Sequence, residues 1–150
     1  MKNKRMKYIE NTKQSESGKY NHYGDCQTYS LAYLFDKDYD EVCKELEKQP
    51  FGITSTWSIF NVLRNNNFKA VIDQRDFKDE FSKFTTVGQL ARLLKDTNIK
   101  VAVEVKDHIT VIDNGNVVDK WDCSRRYVQK IYLTIDDYKQ IEYMLKYTYK

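Results

Sequence analysis

Cys26, His108 and Asp119 are a thiol, an imidazole and a carboxylate, the three side chains from which a nucleophilic acyl-transfer site is built. Residues 24–35 read GDCQTYSLAYLF, so Cys26 stands directly in front of an apolar run. Asp25 fits an N-cap, since its carboxylate can accept from free first-turn amides, and this makes Cys26 the first helical residue. A helix N-terminus favours negative charge on a sulfur placed there, and an imidazolium beside it adds to the effect. A carboxylate on the far side of the imidazole fixes its tautomer without taking a proton itself.

The partner acid is selected by a hairpin. HITVIDNGNVVDKW contains Asn114-Gly115 between two alternating runs, the strongest short-range signal for a two-residue type I′ turn. With Asn114 and Gly115 as the loop, Asp113 faces Asn116, Thr110 faces Asp119 and His108 faces Trp121. His108, Thr110, Ile112, Val117, Asp119 and Trp121 then project from one face, with Asp119 diagonal to His108 at about 7–8 Å along the backbone, a gap two polar side chains can bridge. Asp122 points to the opposite face.

Each part also has a plainer role. A cysteine at a helix start serves as a small buried hydrophobe, which is the reading for Cys43 and Cys123. A strand histidine serves as a hydrogen-bonded structural residue, many hairpins carry an acid, and Trp121 fits a core position.

Taken in order, GDCQTYSLAYLF with DYDEVCKEL, then TTVGQLARLLK, then DHITVIDNGNVVDKWDCS, resemble the papain-like cysteine peptidases. The likeness is nearest to the small single-domain versions of bacteria and their phages, including the bacteriocin-peptidase-like group, and spans most of residues 20–130. The resemblance implies an α+β, papain-like fold in which the nucleophile helix of an N-terminal helical half packs on a C-terminal antiparallel sheet. It also implies Cys26 as nucleophile, His108 as general base and acid, and Asp119 as the orienting residue. Trp121, two residues past that acid, looks like the tryptophan that shields the His/Asn hydrogen bond in papain itself. The family's oxyanion-hole side chain is commonly a Gln a few residues before the cysteine. Positions 20–23 are instead Tyr20, Asn21, His22 and Tyr23, so Asn21 is the candidate donor. Asp25 departs in another way, because a carboxylate next to the thiol opposes a thiolate unless capping turns it toward the backbone.

The elements that must position these residues are legible in the periodicity. DYDEVCKELEK, capped by Asp38, and TSTWSIFNVLRNNN, capped at Thr54 or Ser55, read as helices, the latter with Trp57, Phe60, Leu63 and Arg64 at helical spacing. FKAVI reads as a short strand and TTVGQLARLLKDTN as a helix capped by Thr85 or Thr86. From residue 100 the period falls to two through KVAVEV, HITVID, NVVDKW and YVQKIYLTI, a sheet. A last helix starts at Asp136 or Asp137 and runs through Tyr138, Ile141 and Leu145.

With 150 residues, 41% of them hydrophobic, the chain suits one domain over residues 20–150 behind a polar, mobile tail at residues 1–19. A net charge of +3 is too small and dispersed to argue for nucleic acid. No apolar window approaches a membrane span and no signal peptide is visible, so a cytoplasmic setting is expected, that of a host if the chain is phage-encoded. Three cysteines without CxxC or Cys/His zinc spacing suggest neither a disulfide framework nor a metal site, and no cofactor is expected. The expected activity is hydrolysis of a peptide or isopeptide through a thioester, with a polypeptide or peptide-like substrate and no membrane partner. The competing expectation is a non-catalytic binding or inhibitor protein of the same fold acting on a host protein, with twelve tyrosines and two tryptophans as contact surface. Nucleic-acid binding through the basic tail is a third and weaker expectation.

Overall fold

A computed structural model describes residues 7–18, 24–73 and 86–148. Among them the chain forms five helices and six strands: β1 (Lys7–Glu10), α1 (Cys26–Phe35), α2 (Tyr39–Glu47), α3 (Thr56–Asn65), β2 (Ala70–Asp73), α4 (Val87–Leu93), β3 (Lys100–Val105), β4 (His108–Asp113), β5 (Asn116–Asp119), β6 (Lys130–Leu133) and α5 (Ile135–Thr148). The strands make one mixed sheet in the order β1-β5-β4-β3-β6-β2.

The period-two pattern of β3 to β6 divides their side chains between two cores. Ala102, Ile109, Val111, Val118 and Tyr132 meet Leu31, Ala32 and Leu34 of α1 and apolar residues of α2 and α3. Val101, Val103, Ile112, Val117 and Ile131 meet Leu90 and Ala91 of α4 and Ile141 of α5. The sheet is therefore covered on both faces, so its strands carry apolar side chains on both sides.

The hairpin register is the expected one, with Asp113 opposite Asn116, Ile112 opposite Val117 and Val111 opposite Val118. Asn114 (φ 50°) and Gly115 (φ 82°) both take the left-handed conformation that a type I′ turn needs. A Cβ on Gly115 would lie 2.5 Å from Cα of Lys95, so the turn also abuts the segment after α4.

Two caps follow the sequence. Ser55 accepts from the Trp57 amide at the head of α3, and Thr86 with Gln89 forms a reciprocal capping box at α4. Three do not. Asp38 and Asp25 occupy N-cap positions without a side-chain bond to their helices. At α5 the cap is Thr134, whose hydroxyl accepts from the Asp137 amide, which leaves Asp136 and Asp137 inside the first turn. Thr85 lies outside the described residues.

The sheet also corrects two expectations. Only its four central strands, β5-β4-β3-β6, are the antiparallel C-terminal sheet, while β1 adds a parallel edge beside β5 and β2 an antiparallel edge beside β6. The segment read as a mobile tail holds β1, and beyond it Ser15 and Ser17 hydrogen-bond the Asp40 carboxylate of α2. Backbone pairing with β5 and a bond from the Tyr8 hydroxyl, not an apolar face, seat β1, whose four side chains are exposed. Among the described residues, no helix is long and apolar enough to cross a membrane.

Candidate active site

α1 runs along β4 in the same direction: Ser30 donates to the Ile109 carbonyl and the Tyr33 hydroxyl to the Asp113 carboxylate. This alignment brings the helix start, Cys26, over the strand start, His108. His108 follows a two-residue turn in which Asp107 adopts φ 57°, and it pairs with Val105 at the end of β3. Asp119 closes β5 at the same end of the sheet. The short turns therefore fix the imidazole and the acid, and packing of α1 brings the sulfur to them.

His108 Nε2 lies 2.7 Å from Asp119 Oδ2, with the acid side chain fully buried and the imidazole 9% exposed. Nδ1 is the ring nitrogen left for exchange with a sulfur. Cys26 and His108 line one cleft of about 440 Å³, together with Gln27, Thr54, Ile59, Glu104, Asp107 and Gln129. Trp121 is 40% exposed, not a core residue, and its ring covers His108 at 4.7 Å between centroids. The Arg126 guanidinium sits over the same indole at 5.3 Å.

Asp119 is held on every side. Its Oδ1 accepts from the Tyr29 hydroxyl at 2.7 Å and from the Lys120 amide, its backbone carbonyl accepts from the Asn11 amide and the Tyr8 hydroxyl, and the Cys123 thiol reaches Oδ2 at 3.4 Å. Buried Asn11 also donates to the Tyr29 carbonyl. Burial would raise the Asp119 carboxyl, but hydrogen bonds from His108, Thr110 and Tyr29 outweigh it and lower its pKa. Burial likewise opposes charge on His108, but hydrogen bonding to Asp119, Cys123 and Cys26 and the Asp119 charge reverse it, so the ring's pKa is raised. The same carboxylate and burial push the Tyr29 hydroxyl upward, which keeps it a donor. Both shifts favour the charged pair, an imidazolium beside a carboxylate.

Asp25 does not crowd the sulfur's helix end as a cap; its carboxylate accepts from the Tyr39 hydroxyl at 2.7 Å. Asp122 accepts from the Ser124 amide. Asn21, the candidate oxyanion donor, lies outside the described residues. The structure thus brings Cys26, His108, Asp119 and Trp121 to one end of the sheet.

Sequence reasoning missed Tyr29, Asn11, Cys123 and Gln27. Tyr29 follows Cys26 by three residues and so shares its helix face, which was a usable signal. Cys123, read as core, is buried but meets the acid because the chain turns after β5. Cys43 is a buried small hydrophobe as expected, its thiol pushed up to about 11 by burial and nearby acids.

Among the described residues, His108, Asp119 and Cys123 are the set whose ligand atoms lie within 4.8 Å of one another, as a metal would require. Those atoms already bind each other, so a metal would displace the bond that orients the imidazole. A larger depression of about 560 Å³, between residues 12–16 and the start of α2, is lined by Glu16, Asp38, Asp40, Glu41, Lys13 and Lys44 among others and has no thiol or imidazole in its lining. Chemistry, not size, singles out the smaller cleft. Comparison with family models, with curated proteins and with solved structures finds no match for this chain.

Proposed function

We propose that the chain is a cysteine-dependent amide hydrolase of papain-like type, acting on peptide or isopeptide bonds. The observation that carries this reading is the buried His108–Asp119 pair at 2.7 Å opening on the cleft that Cys26 lines at the start of a helix. Cys26 attacks the carbonyl carbon as a thiolate, its proton already given up to water, and the imidazolium gives its Nδ1 proton to the leaving amine. The neutral ring then draws a proton from water, which cleaves the thioester and frees the acid. Asp119 stabilises the imidazolium throughout, and Trp121 keeps water from their bond. Asn21 is assigned as oxyanion donor on sequence grounds alone. A cytoplasmic setting, host cytoplasm for a phage-borne chain, belongs to the same proposal.

The test is alkylation of the native chain with iodoacetamide, followed residue by residue by mass spectrometry. Cys26 labels rapidly near neutral pH, and His108→Ala and Asp119→Ala slow it roughly ten-fold or more, the scale of one lost charge interaction. Cleavage products from a peptide mixture disappear with Cys26→Ala. Equal, slow labelling of Cys26 in the native chain and both variants removes the proposal.

A second reading, a non-catalytic binding protein of the same fold, is favoured by one feature. Phe51, ahead of α3, and Trp57, in its first turn, are 60% and 65% exposed beside the cleft-lining Thr54 and Thr56. Unreactive Cys26 together with a stable complex lost on Trp57→Ala selects that reading.

A further inference from the structure

Gln27 follows the cysteine and lies under the cleft, 3% exposed. Its Oε1 accepts from the Cys26 thiol at 3.6 Å, while its Nε2 is buried without a hydrogen-bond partner. An orphaned buried N–H group is rare and costly, and Ser58 Oγ is the other such side-chain atom among the described residues. At Gln27 the orphan sits at the far end of the same amide that touches the sulfur.

A carboxamide offers an acceptor and a donor that exchange places by rotation about its last torsion, which has broad wells. A thiol needs an acceptor and a thiolate needs a donor. We propose that Gln27 serves both forms of the nucleophile, its amide turning over as Cys26 loses its proton; this rests on Cys26 being the nucleophile. The S–H bond breaks, its electron pair stays on sulfur and the proton passes to water, leaving a thiolate beside the His108 imidazolium. The bond to Oε1 ends with that proton. Rotation then presents Nε2–H to the anion and moves Oε1 to the site where Nε2 was. Nothing is broken at Nε2, since it had no partner, and the orphan left behind is a carbonyl, which tolerates that state better than an N–H. Gln27 thereby keeps a second donor on the sulfur, opposite the imidazolium, until the carbonyl carbon is attacked.

Alkylation of Cys26 by iodoacetamide at pH 6.5, compared among the native chain, Gln27→Met, Gln27→Glu and His108→Ala, tests this. Gln27→Met fills the same space without a donor and slows labelling roughly ten-fold, as expected for a hydrogen bond to a charged group. Gln27→Glu slows it further, because a carboxylate faces the sulfur. Native-rate labelling in Gln27→Met overturns the inference, while slowing in His108→Ala in the same series leaves the hydrolase reading standing. The reverse pattern, a slow Gln27→Met with an unaffected His108→Ala, supports Gln27 and removes the His108 assignment. If Gln27→Met exposes Cys43 and Cys123 and so has unfolded, the Gln27 side-chain amide resonances of the native chain are followed from pH 5 to 9 beside those of Cys26→Ala. A shift confined to the native chain supports the amide turning, and superimposable traces overturn it.

Discussion

Tyr29 and His108 divide one carboxylate: the phenol donates to Asp119 Oδ1 and the imidazole to Oδ2, each at 2.7 Å. Neither oxygen is free to swing, so the ring's plane is set from the helix as well as from the sheet. Tyr29→Phe removes one of these bonds and leaves the ring of the side chain in place. Its expected cost is about 1.5–3 kcal/mol, the range for a hydrogen bond to a charged group. Urea denaturation measures it, and an unchanged midpoint would show the hydroxyl to be dispensable.

The shifts of the pair set a pH dependence. His108 is raised above its ordinary 6.5, so its stabilisation is complete below that value and declines as pH climbs through the folded value. Asp119 is lowered below 3.8, so its share is present above 3.8 and is lost as pH falls through its folded value. Stability of the native chain therefore declines as pH rises above about 6.5, and His108→Ala lacks that decline. Denaturant midpoints at pH 5.5, 7 and 8.5 decide it; parallel curves for the two proteins refute the assignment.

Thiol counting separates the three cysteines. Cys43 and Cys123 are 1% exposed, and Cys26 is half-buried at the cleft. One thiol reacts with an aromatic disulfide reagent in the native chain and three react in denaturant. Two or more fast native thiols contradict the packing described for α2 and for the turn after β5.

Gly115 carries the turn that sets the register of β4 against β5. Gly115→Ala combines a φ of 82° with a Cβ 2.5 Å from Lys95 Cα. It is expected to destabilise by about 1–3 kcal/mol, read as a lowered melting temperature, and native stability in this variant would mean that the turn is not the one described.

The parts that were legible in the sequence are those governed by local rules. Asn114-Gly115 dictates a turn, the turn dictates which acid neighbours His108, and an apolar run behind Cys26 dictates a helix. What was illegible depends on distant pairing. KYIE has no apolar alternation, because β1 joins the sheet through backbone pairing and the Tyr8 hydroxyl and not through an apolar face, so its tie to Asp119, shared with Asn11, leaves no trace in periodicity. Cys123 was taken as core because nothing in DKWDCS announces that the chain doubles back onto the acid. Thr134 is not set apart from the acids after it because Thr and Asp both cap helices.

The parallel pairing of β1 with β5 joins residues 7–10 to residues 116–119. Contacts so far apart along the chain demand the largest loop closure and form slowly. α1 and the β4–β5 hairpin are local and are expected to arise early, whereas the brace on the acid waits for the first strand to return across the whole fold. Ribosomal synthesis thus presents the thiol long before its acid exists, and β1 is expected to be the last strand to seat on that acid. Alkylation of Cys26 after refolding is then expected to reach its native rate only once β1 has paired.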